Sequence, residues 1–302
     1  MSQKVGINTG LVEKDYWVTH VLWGLTELGL QVWFKGGTSL SKGYGLIQRF
    51  SEDLDLLVDG SDLLPKVKSW TSAGAARVAE RRAYFQGLAE LLTRIPDIDQ
   101  SRVEQTPIDE KWRGVAYQVH YPGAFKSQLR PLMRPYVLLE VGHARVRPCE
   151  DRAISSWVHD HLTRSGLIER YRDNRAFGIR CVHPIVTLLE KLEAISRRFE
   201  RGDDPASFVR HFEDAAKIIR GSDDLPDLLQ GNRGLYAEMR AKRDLRRDLE
   251  VQDPAFNPAA TGDWDEVRSA CNDIGLMFWG ERIALDDCCR LIRDWIDEHL
   301  AE

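Results

Sequence analysis

The sequence predicts an α/β fold in the first part of the chain, followed by a mainly helical part. In the first 182 residues, short runs of branched apolar residues end at Gly, Pro or Asp, which is typical of strands closed by turns. From Pro184 onwards apolar residues recur at spacings of three and four, the pattern of amphipathic helices. We therefore predict an α/β domain at residues 1–182 and a helical domain at residues 183–302.

The elements of the first domain follow from the same patterns. Periodicity predicts a helix at 11–28, and the apolar run at 31–34 predicts a strand that leads through a Gly-Gly turn into a short helix at 40–47. The run D-L-D-L-L-V at 53–58, closed by Asp-Gly, predicts the next strand. The remaining predictions are a mainly helical region at 63–92, a short helix at 154–163, and strands near 103–108, 115–121, 136–141 and 178–182.

The turn between the first strand and the first short helix is a candidate phosphate site. Gly36 and Gly37 allow a ligand to approach the backbone closely, and Thr38 and Ser39 lie near a helix N-terminus, where anions are stabilised. Backbone N–H groups and hydroxyls of this kind suit phosphates. These four residues are therefore our candidate nucleotide-binding residues.

The Asp-x-Asp motif that follows is a candidate metal site. Asp53 and Asp55 are two residues apart in a predicted strand, so both carboxylates project from one face of the sheet. Parallel carboxylates repel each other unless a cation lies between them, so the pair suits a divalent ion such as Mg²⁺ or Mn²⁺. The alternative for an isolated pair is that both residues end the strand in solvent.

A third acidic metal ligand is predicted at Glu140. Val137, Leu139 and Val141 share one face of their predicted strand, which leaves Glu140 on the other face of an otherwise apolar run. A charge there must be paired, bound to a metal or at a sheet edge. Two-metal phosphoryl transfer usually needs more than two carboxylates, which favours the metal over an edge glutamate that faces water.

Two predicted helices of the second domain carry further candidates. The helix that begins at Pro184 places Lys191 on a stripe beside its apolar face, from which the ammonium could reach a triphosphate. Arg210 and Asp214 lie four residues apart on one face of a later helix. We take Lys191 and Arg210 as candidate nucleotide-binding residues. A solvated lysine and a plain ion pair between Arg210 and Asp214 are the alternatives.

Composition limits the classes of function. With 302 residues, 43% hydrophobic content and nine Trp, the chain can bury a substantial core. Its net charge of −5 gives no global attraction to nucleic acid, so any RNA contact must be local. Five cysteines without metal-type spacing argue against structural zinc and a disulfide framework. Since the sequence has no long apolar run and no signal-peptide pattern, we expect a soluble, cytoplasmic protein with no membrane partner.

Several ordered stretches together resemble one known family, the AbiEii/AbiGii toxins. These stretches read V-E-K-D-Y-W-V at 12–18, K-G-G-T-S-L-S-K at 35–42, R-F-S-E-D-L-D-L at 49–56, P-I-V-T-L-L-E-K-L-E-A-I at 184–195 and R-H-F-E-D at 210–214. The family comprises the toxin halves of bacterial type IV toxin–antitoxin and abortive-infection systems. It belongs to the DNA polymerase β-like nucleotidyltransferase superfamily.

The resemblance implies a fold, a reaction and a partner. The implied fold is a polymerase β-like nucleotidyltransferase core with a mixed sheet, followed by a mostly helical C-terminal domain. It implies metal roles for Asp53 and Asp55, and catalytic or nucleotide-binding roles for Lys191 and Asp214. The implied reaction transfers NMP from an NTP to an RNA acceptor, with the tRNA 3′ end as the leading candidate, and releases pyrophosphate. The implied partner is a cognate antitoxin encoded nearby.

Two alternatives stay open at this point. The first is nucleotidylation of a protein side chain, such as AMPylation, because the superfamily includes enzymes of that kind. The second is a nucleotide- or RNA-binding module without turnover. A site that had lost its activity need not keep Asp53, Asp55, Lys191 and Asp214 together, which argues against the second alternative.

Overall fold

The computed structural model of the chain describes residues 8–51, 53–60, 62–99, 102–129, 133–258 and 264–300. By its contacts the chain divides into two units. The first contains the residues up to Gly43 together with Ser51–Val182, and the second contains Tyr44–Phe50 together with the residues from His183 onwards. The segment that precedes the Asp-x-Asp strand therefore belongs to the second unit, although the sequence patterns place it in the first domain.

The first unit is built around one mixed sheet. Its described strands are β1 (Gln31–Lys35), β2 (Asp53–Asp59), β3 (Val103–Pro107), β4 (Gly114–Val119), β5 (Val137–Gly142), β6 (Cys149–Ile154) and β7 (Ala176–Val182). They lie in the order β3-β4-β5-β2-β1-β7-β6. β2 is parallel to β5 and β1 is parallel to β7, whereas the other neighbours are antiparallel. The mixed α/β architecture predicted for this part of the chain is confirmed.

The helices of the first unit surround this sheet. Those described are α1 (Thr9–Glu27), α2 (Gly36–Lys42), α3 (Ala75–Leu92) and α4 (Trp157–Arg164). Asn8 caps α1, since its side-chain oxygen accepts a hydrogen bond from the N–H of Gly10 at 2.7 Å. α1 is buried on most of its circumference and packs on β7, β1 and β5. It is therefore a core helix, as its largely apolar sequence requires.

The centre of the sheet has one buried and one more polar face. Along β2 the residues Leu54, Leu56 and Val58 are buried, while the residues between them are half-buried. β1 shows the same alternation, with Val32 and Phe34 buried. Because alternate residues point to opposite faces, the carboxylates of β2 lie on the face away from this apolar core.

The helix predicted over residues 63–92 is shorter in the structure, where its second part alone is helical as α3. Residues 62–74 form an irregular segment, in which a turn and several bends alternate with residues in no regular structure. The buried guanidinium of Arg81 donates hydrogen bonds to the backbone carbonyl oxygens of Ser69 and Ser72, at 2.7 and 3.1 Å. These carbonyls therefore accept hydrogen bonds from a side chain instead of from the backbone N–H groups of a helix.

Strand β6 is absent from the sequence predictions. It lies at the edge of the sheet and pairs with β7, so its sequence C-E-D-R-A-I is charged rather than apolar. The short helix predicted from residue 154 begins later, as α4. Ser156 caps it, because the N–H of His159 donates to the Ser156 hydroxyl at 3.1 Å.

The described helices of the second unit are α5 (Pro184–Glu200), α6 (Arg210–Arg220), α7 (Gly231–Ala241), α8 (Trp264–Asp273) and α9 (Leu285–His299). α5 starts with proline in its first turn, and Nδ1 of His183 accepts a hydrogen bond from the N–H of Ile185 at 3.2 Å. α6 packs against both α5 and α9. In the part of the chain that the structure describes, no helix is long and apolar enough to cross a membrane.

Candidate active site

Asp53 and Asp55 project from the same face of β2. Both are half-buried, whereas Leu54 and Leu56 are buried on the opposite face. The strand is short and ordered by its apolar residues, so the two carboxylates are held side by side at its first and third positions. This is the arrangement that the Asp-x-Asp spacing predicts.

Glu140 adds a third carboxylate to this face. It is paired in register with Asp55 across the parallel ladder between β2 and β5, so both side chains point the same way. β5 lies between β2 and β4, so the alternative of an edge-strand glutamate is wrong. Burial first, and then the charges of Asp55 and Asp53, raise the pKa of the Glu140 carboxyl above its usual value. A cation at this face would relieve the repulsion between the three groups.

Arg134 supplies one cation to this face. Its Nη1 lies 2.9 Å from Oδ1 of Asp53, and both side chains are more than a third exposed, so the pair is weak and exchangeable. Among the residues that the structure describes, no three His, Cys, Asp or Glu side chains are already arranged as a metal cage. A metal ion here therefore requires side-chain movement. The donor set fits a hard divalent ion, because the three carboxylates of β2 and β5 offer oxygen ligands on one face.

Gly36 brings the glycine turn directly against the carboxylates. Its φ is +74°, and a Cβ added to it would lie 2.0 Å from Oδ2 of Asp55. The preceding residue, Lys35, is paired with Asp55 across β1 and β2, so the chain turns into α2 beside that carboxylate. Glycine is therefore required here both for the backbone conformation and for the close approach.

The two hydroxyls of the turn face the interior. Thr38 Oγ1 donates to the backbone carbonyl of Asp53 at 2.6 Å and lies 3.1 Å from that of Ser51. Ser39 is buried beside Cys181, and burial raises the pKa of that thiol to about 11. In this structure the Thr38 hydroxyl therefore serves the fold, because it fixes the start of β2. A phosphate at this turn would meet the backbone N–H groups at the start of α2.

Lys191 and Asp214 lie together in the second unit, joined by Arg49. Nε and Nη2 of Arg49 each donate to one carboxylate oxygen of Asp214 at 2.7 Å. Nζ of Lys191 donates to Oδ2 of the same carboxylate at 2.8 Å. All three side chains are buried, and Asp214 is 1% exposed. Lys191 is therefore not a solvated surface lysine, and Asp214 pairs with Arg49 and Lys191 rather than within its own helix.

The cluster carries a surplus of positive charge. Burial would raise the pKa of Asp214, but Arg49 and Lys191 outweigh burial and hold that pKa far below its usual range. Burial, followed by the charge of Lys191, holds the pKa of His211 well below its usual value. Neutral His211 can accept a hydrogen bond from Lys191, whose Nζ lies 3.3 Å from its Nδ1. Arg210, half-buried at the start of α6, adds to the positive field at both residues.

Arg49 is the residue of this cluster that the sequence patterns miss. It stands within the R-F-S-E-D-L-D-L stretch, but 165 residues separate it from Asp214, and no local spacing links the two. One signal could have found it. An aspartate on the apolar side of an amphipathic helix requires a cationic partner, because an unpaired buried carboxylate is strongly destabilising.

Comparison with known protein families gives a match that covers most of the chain. A family model described as "Nucleotidyl transferase AbiEii toxin, Type IV TA system" matches residues 21–276. Neither the curated proteins nor the solved structures contain a match to the chain. The matched range includes the glycine turn, the three carboxylates of the sheet and the buried cluster around Asp214.

Proposed function

The chain belongs to the AbiEii family of nucleotidyltransferase toxins of type IV toxin–antitoxin systems, and we propose that it is a metal-dependent enzyme that transfers NMP from an NTP to RNA. The proposed acceptor is the 3′ end of tRNA, and the second product is pyrophosphate. The choice of tRNA as acceptor is based on the resemblance of the chain's motifs to the family. The net charge of −5 gives no global attraction to RNA, so any contact with RNA must be local.

One observation supports the chemistry above the others. Asp55 is flanked by Glu140 on one neighbouring strand and by the Gly36 turn at the end of the other. Carboxylates for a divalent ion and a glycine turn for phosphates are thus adjacent, as NTP chemistry requires. Either feature alone serves many folds, whereas their direct contact is specific.

The metal proposal assigns ligands to this face. Asp53 and Asp55, together with Glu140, would hold Mg²⁺ or Mn²⁺, with Asp53 exchanging its contact with Arg134. A bound ion lowers the pKa of the acceptor hydroxyl and neutralises charge at the α-phosphate and the leaving group.

The protein's own groups have the following proposed roles. The acceptor hydroxyl loses its proton to water as its oxygen bonds to the α-phosphorus, the bond from that phosphorus to the leaving oxygen breaks, and pyrophosphate departs. Backbone N–H groups from Gly36 to Ser39 stabilise the β and γ phosphates. Lys191, assisted by Arg210, stabilises the negative charge of the triphosphate. Asp214, fixed by Arg49, orients the ammonium of Lys191.

A type IV toxin implies an antitoxin, and we propose that a gene near this one encodes it. A cytoplasmic location belongs to the same proposal, because NTPs and tRNA are found there. Growth arrest by the expressed chain, with rescue by the product of a neighbouring gene, would support both statements.

A labelling experiment tests the proposed reaction. The purified protein is incubated with Mg²⁺ and each α-labelled NTP in turn, with total tRNA or with cell protein. We expect label on tRNA for at least one NTP and loss of aminoacylation of the labelled tRNA. Label on protein would support side-chain nucleotidylation instead, and no label on either acceptor would contradict both enzymatic proposals.

Asparagine variants complete the experiment. Asp53→Asn and Asp55→Asn should abolish transfer and growth inhibition while the fold is retained. Asp151→Asn is the matched control, because Asp151 is an exposed aspartate on the edge strand β6 of the same sheet. Growth inhibition that persists in Asp53→Asn would favour a binding module without turnover.

A further inference from the structure

A cavity of about 500 Å³ lies in the first unit where β2 and β5 end and β1 begins. Trp33 and Leu57 line it from the sheet, Lys66 and Trp70 from the irregular segment before α3, and His143 from the residue after β5. The volume is in the range of small-molecule sites and is sufficient for a nucleoside. The proposed function assigns no role to this cavity.

The cavity continues the face that carries the carboxylates. Trp33 and Leu57 form the ladder pair two residues along from the pair of Lys35 and Asp55, so they lie on the same face of the sheet. Two residues correspond to about 7 Å along a strand. Gly36 lies on the opposite side of Asp55, at the end of β1. The cavity, the carboxylates and the glycine turn therefore follow one another along one strand.

The lining suits a flat, aromatic ligand. The rings of Trp70 and His143 are stacked, with centroids 5.4 Å apart and an interplanar angle of 21°. Nε1 of Trp33 is buried and, within the described part of the chain, has no hydrogen-bond partner. A buried N–H donor of this kind requires an acceptor, which a ligand with ring nitrogens or carbonyl oxygens would provide.

The outer wall of the cavity is hydrogen-bonded to α3. It is formed by the irregular segment 62–74, whose backbone is held by the buried guanidinium of Arg81. Glu80 adds a second tie, because its Oε2 accepts a hydrogen bond from the N–H of Lys68 at 3.1 Å. The backbone on both sides of Trp70 is therefore tied to α3 by hydrogen bonds.

We propose that this cavity binds the nucleobase of the NTP substrate and so determines which NTP is used, an inference that rests on the proposed function. In an extended NTP, the base and the terminal phosphates lie on opposite sides of the α-phosphate. The cavity and the glycine turn lie on opposite sides of Asp55 in the same way. The base packs against the aromatic wall formed by the stacked rings of Trp70 and His143, and the donors on Trp33 and Lys66 select bases whose facing edge carries acceptors.

Two variants of the cavity test this inference against one control. Trp70→Leu removes the stacking surface, and Trp33→Phe keeps a ring but removes the N–H donor. Trp23→Leu is the matched control, since Trp23 is a half-buried tryptophan on α1 outside the cavity. Circular dichroism and thermal melts establish that each variant is folded.

The readout is the rate of transfer to tRNA as a function of the concentration of each NTP. We expect Trp70→Leu to raise KM for the preferred NTP about tenfold or more, with kcat little changed, as loss of base stacking requires. Trp33→Phe should narrow the difference in kcat/KM between the preferred NTP and the others. Inorganic triphosphate, which has no base, should inhibit the wild type and all variants equally.

Each other outcome is decisive. Unchanged KM and unchanged NTP preference in both cavity variants of an active enzyme would overturn this inference and leave the proposed function intact. A raised KM for tRNA alone would also overturn it, because the cavity would then hold the acceptor. If the wild type transfers no nucleotide, calorimetric titration with NTPs decides. Weaker NTP binding in Trp70→Leu with equal triphosphate binding would support the cavity, and equal NTP binding would overturn it.

Discussion

Replacing Gly36 by alanine should abolish nucleotide transfer while lowering stability only moderately. At φ +74° an alanine costs about 1–2 kcal/mol relative to glycine. Its methyl group would also occupy space 2.0 Å from Oδ2 of Asp55. That carboxylate ends a short side chain on a fixed strand, so it must rotate away from the turn and leave its place beside Asp53 and Glu140. We expect a total loss of about 1–3 kcal/mol in the free energy of unfolding. Activity should fall about 100-fold or more, the usual consequence of displacing a catalytic group by about 1 Å.

Gly178→Ala is the matched control for this prediction. Gly178 lies in β7 of the same unit at φ +67°, and a Cβ added to it would meet nothing within 4 Å. The control therefore carries a similar backbone strain without the contact with a carboxylate. Its unfolding free energy should fall by about 1–2 kcal/mol, and its activity should be unchanged.

Urea denaturation measures the two stabilities, and the initial rate of transfer at saturating NTP measures the two activities. The comparison isolates the contact between the turn and Asp55, because backbone strain is common to both variants. If Gly36→Ala and Gly178→Ala have the same activity, the argument that the turn is fitted against Asp55 is refuted.

Replacing Arg49 by leucine should lower the free energy of unfolding, measured in urea, by about 3–5 kcal/mol, because buried Asp214 keeps one cation fewer. The loss caused by Arg49→Leu should be smaller in a protein that also carries Asp214→Leu. If the losses of the two single variants simply add in the double variant, the pairing of Arg49 with Asp214 is contradicted. Glu140→Gln should stabilise the protein in EDTA near neutral pH. The raised pKa of Glu140 makes its ionisation destabilising, so the advantage is absent below its ordinary value of 4.5 and grows as the pH rises through the raised pKa. Thermal melts across pH measure this effect, and an advantage largest in acid would contradict the sign. Saturating Mg²⁺ should raise the Tm of the wild type, by the equivalent of about 2.7 kcal/mol at 100 times Kd. Asp53→Asn should show a smaller shift, and equal shifts would contradict its role as a metal ligand.

The parts of the site that could be predicted from sequence are those set by short-range geometry. The period of two in D-L-D-L-L-V places Asp53 and Asp55 on one face whatever the rest of the fold does. Glu140 could be identified because a lone charge in an apolar strand must be paired, bound to a metal or at a sheet edge. Its register with Asp55 could not, because parallel pairing joins segments 85 residues apart and leaves no local signature.

The parts that could not be predicted depend on distant partners. Arg49 looks like any arginine in a polar stretch until Asp214 is placed beside it by α6. Strand β6 could not be predicted because its charged sequence lacks the apolar pattern of a buried strand. It lies at the edge of the sheet, where charged residues are tolerated. The sequence predicts that the Thr38 hydroxyl faces a ligand, whereas in the structure it donates to the backbone carbonyl of Asp53. A hydroxyl in a glycine turn suits either task, and the distinction depends on where the next strand begins.

The central claim is that the carboxylates of β2 support NMP transfer from an NTP to RNA. The most direct measurement is the amount of α-labelled nucleotide that the purified protein transfers to tRNA in Mg²⁺, compared between the wild type and Asp55→Asn. We predict label on tRNA with an equal amount of pyrophosphate released by the wild type, and no detectable label with a folded Asp55→Asn variant. Equal labelling by the two proteins, or no label from the wild type with any NTP, would contradict the claim.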